Sequence, residues 1–130
     1  MNKKKVLILG GTQFIGRNLV EHLTESGHYE LTLFNRQKTQ SNLFPNVNRI
    51  KGDRNTADIQ QIGGVKWDFV IDVACYYPES LAEVLLNLNN DLTRYIFIST
   101  CSVYNNENNT SELRNENAQI LTCSSDQRVD

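Results

Sequence analysis

Val6-Leu7-Ile8-Leu9-Gly10-Gly11-Thr12-Gln13-Phe14-Ile15-Gly16 decides how the rest of the chain is read. Four apolar residues run without a break, a glycine pair follows, and an amphipathic segment opens at Phe14. This order predicts a buried strand, a tight turn and a helix. The helix start presents backbone N–H groups and the positive end of its dipole, which together stabilise a phosphate without a basic side chain. The glycines let the backbone turn sharply and approach a ligand closely. The stretch therefore reads as the phosphate-binding first turn of a dinucleotide-binding fold. The alternative is a strand–helix turn that simply needs glycine. Gln13 stands at the middle position of a G-x-x-G-x-x-G spacing. Its side chain adds a hydrogen bond to the pyrophosphate or crowds it.

The chain has 130 residues, the length of one domain. Its net charge is −2, so no electrostatic case exists for nucleic acid or anionic membrane as a partner. No apolar run approaches the ~20 residues of a membrane helix. The basic start Lys3-Lys4-Lys5 precedes an apolar run too short for a signal sequence. Three widely spaced cysteines, Cys75, Cys101 and Cys123, argue for a reducing, cytoplasmic setting and against a disulfide framework. None of them has zinc-ligand spacing, so no metal is expected.

From the first turn outward, a helix is predicted over Phe14–Ser26, with Ile15, Leu19, Val20 and Leu23 inward and Gly27 ending it. A second strand over Glu30–Phe34 ends in Asn35-Arg36. In dinucleotide folds this position meets the adenine ribose. An acidic residue there would favour NAD. Uncharged Asn35 beside Arg36, which can pair with a phosphate, favours NADP, although Arg36 can equally be a solvated turn residue. A third strand, Arg49–Lys51, leads into Gly52-Asp53-Arg54 at the edge where ligands bind in open parallel sheets. Thr56 caps a short helix over Ala57–Ile62. The fourth strand, Asp68–Ala74, is apolar except for Asp72, a buried carboxylate that needs partners. Pro78 starts a helix over Glu79–Leu88 with Leu81, Val84, Leu85 and Leu88 as a core stripe. The fifth strand, Arg94–Ser99, runs into Ser99-Thr100-Cys101-Ser102-Val103-Tyr104, a hydroxyl cluster suited to a substrate oxygen or to capping its own loop. Residues 105–117 are polar and read as a mobile loop. The division is a dinucleotide-binding part over 1–104 and a polar tail over 105–130. The strand–helix rhythm gives an α/β class: a Rossmann-like, doubly wound parallel sheet of order 3-2-1-4-5.

Gly10–Gly16, Gly52-Asp53-Arg54 and Ile98–Tyr104 occur in an order and spacing that resemble the extended short-chain dehydrogenase/reductases of the NAD-dependent epimerase/dehydratase family. Within it, Phe34-Asn35-Arg36 and Gly52-Asp53-Arg54 look closest to the chloroplast stem-loop-binding-protein branch. The resemblance covers about Lys5–Tyr104 and implies roles. Gly10, Gly11 and Gly16 frame the pyrophosphate turn, with Thr12, Gln13, Phe14 and Ile15 between them. Asn35 and Arg36 meet the adenosine ribose or its 2′-phosphate. Asp53 and Arg54 flank the adenine. Ala74 and Cys75 line the nicotinamide ribose side, and Ser99 is a further cofactor-binding residue. Thr100 matches the catalytic Ser/Thr. The cofactor is NADP or NAD, and the substrate is a sugar-like small molecule. A homodimer stays open.

One departure is informative. The family's proton-transfer pair is Tyr-x-x-x-Lys, in which the lysine lowers the tyrosine pKa. No tyrosine of this chain has a lysine four residues on. Family members are also about twice as long, with a C-terminal substrate domain. The chain is therefore expected to be an N-terminal piece, truncated after strand five and inactive by itself. Two other functions compete with the enzymatic one: a cofactor-binding but non-catalytic module, and an RNA-binding protein, which the negative charge disfavours.

Overall fold

A computed structural model describes residues 2–38, 40–88, 91–92, 94–100, 103–104, 115–122 and 124. Five strands alternate with helical segments: β1 (Lys4–Leu9), α1 (Phe14–Ser26), β2 (Tyr29–Asn35), β3 (Asn48–Lys51), a 3₁₀ segment (Ala57–Gly64), β4 (Phe69–Asp72), α2 (Pro78–Asn87) and β5 (Arg94–Phe97). All pairings among these five strands are parallel, in the order β3-β2-β1-β4-β5. This is the predicted doubly wound α/β sheet.

β1 holds the centre. Leu7 pairs with Thr32 of β2 on one side and Val70 of β4 on the other. Val6 to Leu9 are at most 2% exposed, because helical segments cover both faces of the sheet. Leu7 and Leu9 point to one face and pack with Phe34, Val70, Ile59, Ile62, Trp67 and Val84, under the 3₁₀ segment and α2. Val6 and Ile8 point to the other and pack with Leu31, Leu33, Ile71 and Val20 of α1. The unbroken apolar run at Val6–Leu9 is thus the signature of a strand buried on both faces.

Local signals end the elements as expected. Gly27 adopts φ +69° and donates its N–H to the Thr24 carbonyl at 3.2 Å, closing α1. The Thr56 side chain accepts the Asp58 N–H and starts the 3₁₀ segment. Three expectations are corrected. The fourth strand stops at Asp72 rather than Ala74, because the Ala74 N–H turns back to Asp72 Oδ1 at 3.2 Å. The α2 stripe is narrower than its leucines suggest. Its buried row is Ser80 and Val84, four residues apart, which leaves Leu85 at 50% exposure and Leu86 at 78%. Ile15 of α1 is likewise exposed beside the buried row Gly16 and Val20. In β5, Ile96 and Phe97 are also exposed.

Most of the predicted 105–130 tail lies outside the described residues, as do Cys101, Ser102 and Cys123. Within the described part, Tyr104 forms an antiparallel bridge with Ile120, and Leu121 donates its N–H to the Val103 carbonyl at 2.7 Å. No described helix is long and apolar enough to cross a membrane.

Trp67 fastens the 3₁₀ segment to the core. Its indole Nε1 donates to the Ile62 carbonyl at 2.9 Å in a buried position. Trp67→Phe keeps an aromatic ring but leaves that carbonyl unpaired. The expected loss is about 1–3 kcal/mol of stability, read as a lower urea midpoint at unchanged slope.

Candidate functional site

The C-terminal ends of the strands open onto a cavity of about 460 Å³. Its floor is the turn from β1 into α1, Gly10 through Gly16. One wall comes from the ends of β2 and β3: Asn35 to Lys38 and Gly52 to Asn55. The other comes from the ends of β4 and β5: Val73, Ala74, Tyr76 and Ile98. β1 and β4 are the neighbours between which the strand order reverses, the place where open α/β sheets bind ligands.

The turn explains its own glycines. Gly10 and Gly11 have φ of +105° and +95°, which side-chain-bearing residues rarely adopt. Gly16 is needed for proximity. A Cβ there would sit 2.8 Å from the Gly11 Cα, so only glycine lets α1 start this close to the turn. Gln13 occupies an extended conformation, φ −125°, that asks for no glycine. Its side chain is exposed, makes no capping hydrogen bond and lines the cavity. The first turn of α1 carries no acidic residue, so its positive end faces the cavity without a competing carboxylate.

The β2–β3 wall is tied together through side chains. Asn35 Nδ2 donates to the Gly10 carbonyl at 3.2 Å, and its Oδ1 accepts the Gln37 N–H at 3.1 Å. Asn35 therefore locks the end of β2 onto the glycine turn as well as lining the cavity. Arg36 and Lys38 are exposed cations on the cavity wall. Asp53 accepts the Asn55 N–H at Oδ1, 3.0 Å, and donates its own N–H to Asp58 at 3.1 Å.

Beneath the cavity lies a buried polar cluster. The Arg54 guanidinium meets Asp72 through two parallel hydrogen bonds of 2.7 and 2.9 Å, with the two side chains 10% and 0% exposed. Tyr95 Oη donates to Asp72 Oδ2 at 2.6 Å. Arg54 also reaches the Ser80 carbonyl at 3.4 Å, and Ser80 Oγ is hydrogen-bonded to Asn55 Oδ1. Burial alone would pull the Arg54 guanidinium down, but the hydrogen bonds and charge of Asp72 outweigh it and hold it above its ordinary value. Burial, and then donation to Asp72, push the Tyr95 hydroxyl far up, so it stays protonated.

Of the residues singled out in the sequence, Gly10, Gly11, Thr12, Gln13, Phe14, Ile15, Gly16, Asn35, Arg36, Asp53, Arg54 and Ala74 all line the one cavity. Arg54 does so with its guanidinium committed to Asp72. Cys75, Ser99 and Thr100 are not on the cavity wall. The Cys75 thiol turns to the Tyr77 carbonyl at 3.5 Å, and burial pushes its pKa up, so it is a poor nucleophile. Ser99 and Thr100 are exposed past the end of β5. Lys38 and Tyr95 were not foreseen. Lys38 stands two residues beyond Arg36 in a polar run. Tyr95 shares a register row with Val70, which points to the same face as Asp72, and this pairing was visible only once β4 and β5 were aligned. Among the described residues no cluster of His, Cys, Asp and Glu could hold a metal ion.

Residues 6–125 match the NAD dependent epimerase/dehydratase family. A chloroplast stem-loop binding protein of 41 kDa (b) from Arabidopsis thaliana is 30% identical, over 79% of this chain and 31% of its own length. The solved UDP-glucuronic acid 4-epimerase of Bacillus cereus, in complex with NAD, superimposes with a TM-score of 0.70 at 19% identity, over 93% of this chain and 47% of that one. A wide-type short-chain dehydrogenase/reductase of Veillonella parvula, in complex with NADP, gives 0.65 at 20% identity, over 77% and 49%. The chain thus spans a third to a half of the length of these relatives. With the glycine turn, the strand order and the family match in agreement, the chain belongs to the NAD-dependent epimerase/dehydratase family.

Proposed function

We propose that this chain is the NAD(P)-binding part of a nucleotide-sugar epimerase- or dehydratase-like oxidoreductase, with NADP preferred over NAD. The observation that carries the reading is the cavity over Gly10–Gly16, which spans the strand-order reversal and has separate walls for two halves of a ligand. The family match supports it, and so do two structural neighbours, one solved with NAD and one with NADP. The pyrophosphate would lie over the α1 N-terminus, held by backbone N–H groups. The adenosine half would lie against Asn35–Lys38 and Asp53, and the nicotinamide half against Ala74. A 2′-phosphate would meet Arg36 and Lys38, and no carboxylate stands at Asn35 to repel it. Thr100, just past β5 and off the cavity wall, matches the family's Ser/Thr in sequence and would hold a sugar hydroxyl in the full-length protein. The cofactor would accept and return hydride, while the chain's own residues bind and orient.

A second reading, cofactor binding without turnover, is favoured by Gln13, whose side chain stands at the middle position of the glycine turn and lines the cavity. The two separate on a turnover assay of the full-length protein with nucleotide sugars: sustained redox turnover sinks the second, and dinucleotide binding with no turnover supports it.

Calorimetric titration with NADPH and with NADH tests the cofactor assignment. The expected result is tighter binding of NADPH, and loss of about tenfold or less of that preference in Arg36→Ala, since Lys38 still faces the phosphate. Equal affinities in the native chain would sink the NADP assignment. Gly16→Ala must push α1 away from Gly11, and is expected to abolish measurable binding of both cofactors in a chain that still shows its helical circular dichroism. Unchanged affinity would show that the ligand does not use this turn.

A further inference from the structure

The two walls of the cavity come from opposite flanks of β1, yet one side-chain cluster joins them. Arg54 belongs to the segment after β3, on the wall that carries Asn35–Lys38 and Asp53. Asp72 ends β4, on the far flank. The carboxylate works in both directions. It takes the Arg54 guanidinium on two oxygens, at 2.7 and 2.9 Å, and through Oδ1 it takes the Ala74 N–H at 3.2 Å. Ala74 itself lines the opposite wall. Tyr95 of β5 supplies a further hydrogen bond, at 2.6 Å, and fixes the rotation of the carboxylate. Asn55 and Ser80 join the same two regions a second time.

A purely structural ion pair would not need this form. Burying Arg and Asp together gives little net stability over an apolar pair of similar size. What the bidentate geometry adds is a fixed distance and orientation between its two ends. We propose that Arg54 and Asp72 are positioning residues that hold the Ala74 wall in register with the Asp53 wall, so that both halves of one dinucleotide are met at once. The proposal rests on the cofactor reading above. A dinucleotide gains affinity over its fragments only when both half-sites are correctly spaced. Loosening the link should therefore weaken the whole ligand more than the adenosine half alone.

The test compares binding of the dinucleotide, NADPH or NADH, with binding of adenosine 5′-diphosphate, by calorimetry on the whole chain. The first variant combines Arg54→Met, Asp72→Leu and Tyr95→Phe, which removes every charge of the cluster and leaves no guanidinium or carboxylate buried alone. The second, Arg54→Lys, keeps the charge and loses the fork. Thermal unfolding of each variant is recorded beside its affinities. The expected result is a triple variant that still melts as a folded chain and loses at least about tenfold more affinity for the dinucleotide than for the diphosphate. Arg54→Lys shows the same inequality, and it carries the test if the triple variant does not fold. The proposal is overturned if dinucleotide and diphosphate affinities change by one common factor, or not at all, in the folded variants. Failure of the cofactor reading is recognised separately, on the native chain: no dinucleotide binding there removes that reading and this inference with it.

Discussion

Everything in this molecule depends on β1 being shut away from water on both faces and both edges. Over its buried part, Val6–Leu9, β1 carries only apolar side chains, and the backbone groups there must be paired by neighbours. β2 and β4 supply the pairing, and the two helical layers supply the cover. The chain leaving Leu9 turns out of the plane of the sheet. It does so at Gly10-Gly11, with positive φ at both. The ligand cavity is thus a geometric consequence of where β1 ends, between two neighbours whose following segments leave toward opposite faces.

The second constraint is electrostatic. Asp72 is fully buried, one residue before the strand ladder gives way to the cavity wall. An isolated carboxylate there would be expelled or neutralised. Arg54 prevents this, and breaking the pair from either side would leave a buried unpaired charge, at a cost of about 3–5 kcal/mol. The cluster reaches from the segment after β3, past β1, to β4 and β5, so it spans the C-terminal side of the sheet. It lies where apolar packing ends, and it replaces packing with directional bonds.

The cavity above these elements offers backbone N–H groups at its centre, two cations at one side and an alanine with aromatic and aliphatic neighbours at the other. A ligand that matches has a doubly charged middle, one polar end and one flatter, less charged end. That description suits a nicotinamide dinucleotide, and it arises from backbone placement more than from any reactive side chain. Thr100 and Cys75 stand off the cavity wall.

Much of this was legible in residue order. The apolar run and glycine pair announced β1, the turn and α1, because double burial and positive φ leave local traces in residue type. Thr56 and Gly27 marked element ends for the same reason, since capping is settled within a few residues. Asp72 was visible as a charge out of place, which called for a partner without naming it. Only the tertiary structure could name Arg54, eighteen residues away, and Tyr95, on a strand aligned by pairing with β4. It alone decided that α2 buries Ser80 and Val84 and leaves Leu85 half-exposed, because which face a helix hides depends on what it lies against. It alone turned Cys75 away from the cavity and Asn35 onto the Gly10 carbonyl. Local chemistry writes turns, caps and double burial into the sequence. Partners across strands are set by register and by the path of the chain, and these exist only once the sheet has formed.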